Sequence, residues 1–96
     1  MIFMPEIVTQ DNAVAVLAQL EAELARDEAG GDIDASRLQR FDSTALSVLL
    51  SLRRKAQARG TSGAVRNLPA RASQLARLYG LAELLGQPAQ AQRTPS

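Results

Sequence analysis

The sequence predicts one small α/β domain, a sheet flanked by helices. Three observations carry that prediction. The stretch from Ile33 to Gly60 reads as a short strand, a polar turn on Asp42-Ser43-Thr44, and a long apolar helix ending at a glycine. A second amphipathic segment precedes it across the Gly30-Gly31 pair, and helices on both sides of a short strand are the pattern of a βα repeat. Ninety-six residues suit one domain and leave little room for another.

Met1 to Met4 is short and apolar, an edge strand that Pro5 cuts off. Thr9 or Asp11 is placed to cap a helix. Ala13, Leu17, Leu20 and Leu24 then recur at helical spacing, with Glu21, Glu23, Arg26, Asp27 and Glu28 facing solvent. A helix near 11–28 follows, closed by Gly30-Gly31. Residues 32–36 read as a strand although Asp32 and Asp34 are poor strand formers. In the helix over 43–59, Ala45, Val48, Leu49, Leu52 and Ala56 form one face, which Leu46 and Leu50 widen. One sheet face does not need so broad an arc: either this helix lies deep in the core, or its flank meets another protein.

Gly60 to Gly63 reads as a turn and 64–67 as a strand. Pro69 occupies a first helical turn, where its missing N–H costs nothing. Ala72, Leu75, Ala76 and Tyr79 share a face of the helix that follows, and Gly80 ends it. Leu81, Leu84 and Leu85 form a last turn packing back onto the core. From Gly86 onward the residues are mainly Gln, Pro, Ala, Ser and Thr. The domain is therefore placed at 1–86 and a disordered tail at 87–96. No internal repeat is visible.

Composition excludes whole classes of chemistry. With no cysteine and no histidine there is no disulfide, thiol nucleophile or imidazole base, and nearly all zinc and haem sites are ruled out. Only Phe3, Phe41 and Tyr79 are aromatic, so Leu, Val and Ala must build the core. A domain this short buries about 60–65% of its unfolded surface, and marginal stability is expected. No signal peptide precedes the first helix and no apolar run reaches the roughly 18 residues of a bilayer span, so the cytosol is the expected compartment. Residues 1–42 carry nine acids and three bases, residues 43–96 eight bases and one acid, Glu83. That asymmetry steers towards charged partners without naming one.

No glycine-rich phosphate loop and no GxGxxG occurs, and Ser43 and Thr44 lack a histidine partner, so no Ser-His-Asp nucleophile can be assembled. Asp32, Asp34 and Asp42 could converge at strand ends on a divalent cation. Caps and turns explain them more simply, and no metal is expected. Arg53-Arg54-Lys55 with Arg59 suits the negative end of a helix dipole, and Arg71 and Arg77 suit a solvated face. Without interleaved aromatics, no nucleic-acid partner is expected. Asp42-Ser43-Thr44 remains. A cap explains one of these three residues but not three polar residues between Phe41 and an apolar helix. A hydroxyl there can receive a phosphoryl group, since unpaired N–H groups and the helix dipole favour an anion.

Ile33-Asp34-Ala35, Phe41-Asp42-Ser43-Thr44-Ala45-Leu46, Val48-Leu49-Leu50, Leu68-Pro69 and Leu75-Ala76-Arg77-Leu78-Tyr79-Gly80-Leu81 together resemble a STAS domain over roughly residues 4–86. Such domains are found in anti-sigma factor antagonists and in small bacterial subunits of phospholipid-transport ABC complexes. The Leu-Ala-Arg-Leu-Tyr-Gly-Leu segment tilts the likeness towards the latter. The resemblance implies a mixed β-sheet flanked by helices, no enzymatic activity, no cofactor, and function through binding. It implies an ABC-transporter ATPase subunit as partner, with the membrane reached only through that complex. The contact would be made by Asp42, Ser43, Thr44, Leu46 and Ser47. In antagonists the hydroxyl after the aspartate is the phosphoacceptor, which matches Ser43, with Thr44 second. The alternative partner is then an anti-sigma serine kinase. Two departures stand out. Ala45 replaces a common glycine, and the N-terminal strand is shortened, with only Met1 to Met4 left for it.

Overall fold

The computed structural model describes residues 1–26 and 31–86. In chain order these form β1 (Ile2–Phe3), β2 (Ile7–Val8), α1 (Ala13–Arg26), β3 (Ile33–Asp34), β4 (Arg40–Phe41), α2 (Ser43–Ala58), β5 (Val65–Arg66) and α3 (Ala70–Leu78). The ladder β1-β3-β5 has β3 at its centre, and β2 pairs with β4 separately. The α/β class and the STAS-like arrangement of strands and helices are as expected. One detail differs: all three strand pairs are parallel, and no antiparallel pair occurs among the described residues.

Segments 2–8 and 33–42 run side by side through both ladders, the second interrupted by a turn at Ser36-Arg37. Ile2 lies opposite Ile33 and Val8 opposite Phe41. The pairing breaks at Pro5, which has no N–H to donate. Met4 N–H still reaches the Asp34 carbonyl at 2.8 Å, and Gln39 and Arg40 N–H both reach the Glu6 carbonyl at 2.8 and 2.9 Å. The N-terminal strand thus does not end at Pro5, as the sequence suggested, but resumes at Ile7. β3 is shorter than predicted because Asp34 turns on itself, its carboxylate accepting the Ser36 N–H at 2.7 Å.

α1 starts at Ala13, and neither Thr9 nor Asp11 caps it as expected. Asn12 organises the turn instead: its side-chain oxygen accepts the Thr9 N–H and its amide donates to the Ile7 carbonyl, each at 2.9 Å. The predicted end of this helix and the predicted tail over 87–96 lie outside the described residues. At its last turn, α1 presents the Leu24 and Ala25 carbonyls to the Arg59 guanidinium, and Lys55 faces Glu21 at 3.8 Å. Two members of the basic run therefore bind the helices together.

The core joins Leu20 and Leu24 of α1, the apolar arc of α2, Ile2, Met4, Val8 and Ile33 from the strands, and Ala72, Ala76 and Leu85. α2 lies deep in it, with Leu46, Leu49 and Leu52 fully buried. Pro69 sits one residue before α3, as its N-cap. Tyr79, predicted on the buried face, is 57% exposed, because the helix ends at Leu78 and Gly80 turns the chain at φ 72°. Leu85 packs back into the core as predicted, while Leu84 is exposed.

Candidate functional site at the start of α2

The parallel β2–β4 pair sets the site's position. Phe41 ends β4 beside Val8, and the chain turns at Asp42 into α2. Asp42 is the N-cap, in extended backbone with φ −122° and ψ −167°. Its Oδ1 accepts the Thr44 N–H at 2.9 Å and also the Thr44 hydroxyl, and its Oδ2 accepts the Gln10 N–H at 3.1 Å. Its own N–H donates to Val8 at 3.3 Å. One aspartate thereby fastens β2, the loop before α1 and the first turn of α2. The Thr44 hydroxyl and then burial against it, Thr44 N–H and Gln10 N–H act on its carboxyl, with a net pKa below the ordinary value.

Those bonds occupy Asp42 and Thr44 and leave Ser43. Its side chain is exposed, and its hydroxyl has no hydrogen-bond partner among the described residues. Ser47, one turn further along, is also exposed. Leu46 is not part of this surface. It is 0% exposed and packs in the core, which corrects the expectation that it lies exposed beside Ser43 for a partner to reach. The apolar arc of α2 is wide enough to put either flank inside, and packing buries Leu46 together with Ala45 and Leu49.

The sequence also missed neighbours from other elements. Gln10 reaches the site through its backbone only, which no side-chain pattern announces. Arg71, in the first turn of α3, stands 5.2 Å from the centre of the Phe41 ring, a cation–π contact beside Asp42. A groove opens between α1 and α2, with Val14 on one wall and Thr44 and Ser47 on the other. Val14 carried a signal, being an apolar residue off the periodic face of α1.

The three aspartates weighed as a metal site are not brought together. Asp32 accepts from Arg66 Nε at 2.7 Å and from the Ser62 hydroxyl at 2.9 Å. Asp34, buried, accepts from Ser36 and from the Asn67 amide at 3.2 Å. Both carboxyls sit below their usual range, Asp32 chiefly through Arg66 and Asp34 chiefly through Ser36. Among the described residues no group of three acidic, His or Cys side chains is placed to hold a metal ion.

Residues 6–86 match the family model described as the MlaB STAS domain. The chain belongs to the STAS family. No curated protein matches it, and no solved structure does. STAS domains are generally non-catalytic and regulatory, and they act through contacts with other proteins. The free serine at the start of α2 is the exposed hydroxyl of this STAS domain's Asp-Ser-Thr turn. No helix among the described residues is long and apolar enough to cross a membrane.

Proposed function

We propose that this STAS domain is a non-catalytic subunit that binds the ATPase of an ABC transporter moving phospholipid and so supporting outer-membrane lipid asymmetry. It works on the cytoplasmic side, held at the inner membrane through the complex. The observation that carries this reading is the division of labour in the Asp-Ser-Thr turn. Asp42 and Thr44 are used in the cap, whereas the Ser43 hydroxyl is exposed and unbonded among the described residues. Membership of the STAS family supports a protein partner in general, and the ATPase is the partner proposed for it. Asp42 and Thr44 hold the turn, and Ser43 and Ser47 make the contact.

The test is binding of the purified ATPase subunit to wild type and to Ser43→Arg. The arginine sits on an exposed helix start and leaves the core untouched. Loss of affinity of tenfold or more, about 1.4 kcal/mol, is expected with an unchanged melting curve. Equal binding by the two proteins sinks the assignment of Ser43.

A second reading uses the same atom. As an anti-sigma factor antagonist, the unmodified domain would bind a serine kinase, and a phosphate of about −1.5 to −2 charge on Ser43 would release it. The open helix start and Arg71 over the adjacent Phe41 favour an anion there. Failure of an anti-sigma kinase to modify Ser43, read by intact mass, removes this reading.

A further inference from the structure

α1 and α2 each follow a strand of the parallel β2–β4 pair, so the two helices begin side by side. Between them lies a groove of about 200 Å³, walled by Ala13, Val14 and Leu17 of α1 and by Thr44, Ser47 and Ser51 of α2. No charged side chain lines it, although Glu21 and Lys55 bridge the same two helices. Its volume is below the roughly 300–1,000 Å³ of small-molecule pockets and suits a single anchoring side chain. Val14, on its wall, is 83% exposed, the most exposed large hydrophobic residue among those described.

We infer that the docking surface extends from Ser43 into this groove, which receives an uncharged apolar side chain projecting from a helix of the ATPase partner. The inference rests on the docking reading proposed above. Two observations select that occupant. Thr44, next to Ser43, and Ser47, one turn further along, both line the groove wall, so the groove adjoins any protein seated on Ser43. A charged group entering the groove would be desolvated with no opposite charge to meet it, a cost that an apolar side chain escapes. Apolar helix faces laid against such grooves are a common mode of recognition.

The experiment titrates the purified ATPase subunit against wild type, Val14→Asp, Val14→Thr and Ser43→Arg, with a melting curve for each. An acid at Val14 stands in the first turn of α1, where the helix dipole favours it, so the fold should tolerate it. Affinity is expected to fall about tenfold or more in Val14→Asp and a few-fold in Val14→Thr. Wild-type affinity in both Val14 variants, with loss in Ser43→Arg, overturns the groove and leaves docking at Ser43 standing. Loss in the Val14 variants alone supports the groove and removes Ser43 from the interface. Failure of wild type to bind overturns both readings. If Val14→Asp does not fold, the nearly isosteric Val14→Thr decides.

Discussion

Thr44 binds Asp42 twice on one oxygen: its backbone N–H and its hydroxyl both donate to Oδ1. The second Asp42 oxygen takes the Gln10 N–H. A turn with three polar residues therefore contains one strut, one brace and one free group. The two residues that flank Ser43 hold it in place without using it.

The first prediction separates these roles by stability. Asp42→Ala removes the cap and both of its side-chain ties, so thermal unfolding should move down by several degrees. Ser43→Ala, at an exposed site whose hydroxyl has no bond among the described residues, should stay within about 0.5 kcal/mol of wild type. Equal losses in the two variants would show that Ser43 also holds the turn.

Leu46 separates packing from contact. Fully buried in the core, it should cost about 2–5 kcal/mol as Leu46→Ala in denaturant unfolding. Any loss of partner binding in this variant should track the fraction unfolded and vanish under conditions that restore the fold.

Acid should destabilise the domain. Asp32, Asp34 and Asp42 all have carboxyl pKa values depressed by hydrogen-bond donors. A group depressed in the folded state contributes fully above its unfolded value, about 3.9, and that contribution is lost as pH falls through the folded value. These three carboxylates thus leave stability level from pH 7 to 5, then lower it progressively below about pH 4. Urea midpoints across that range measure the effect, and Asp32→Asn should flatten part of the acid limb.

Asn67 holds a left-handed backbone, φ 58°, while its amide donates to buried Asp34. Glycine keeps that conformation and loses only the amide, whereas a β-branched residue also meets steric conflict. Asn67→Val should therefore be about 1–2 kcal/mol less stable than Asn67→Gly. Identical unfolding midpoints for the pair would count against strain at this position.

Much of the architecture was legible because it is local. α2 repeats apolar residues at 3.6-residue spacing and begins with a capping aspartate, and both features are written within a few residues of each other. β2 and β4 were not legible. Each has two residues, one pair beyond Pro5 and the other containing Arg40, and neither forms an alternating run. They exist as strands because residues 7 and 40, far apart in sequence, lie side by side. The same pairing brings Gln10 to Asp42 and α1 to α2, so the groove follows from it.

The sequence by itself determined the α/β class, the starts of the three helices and the ends of α2 and α3 to within a few residues, and the presence of an Asp-Ser-Thr turn at a helix start. Periodicity, glycine stops and capping chemistry act between near neighbours, so a single chain displays them. Tertiary structure alone decided which side of α2 is inside, and hence that Leu46 is core while Ser43 and Ser47 face solvent. It alone brought the Gln10 N–H to the second Asp42 oxygen. Burial and long-range hydrogen bonds depend on which segments meet, and an apolar arc wider than one sheet face leaves that choice to packing.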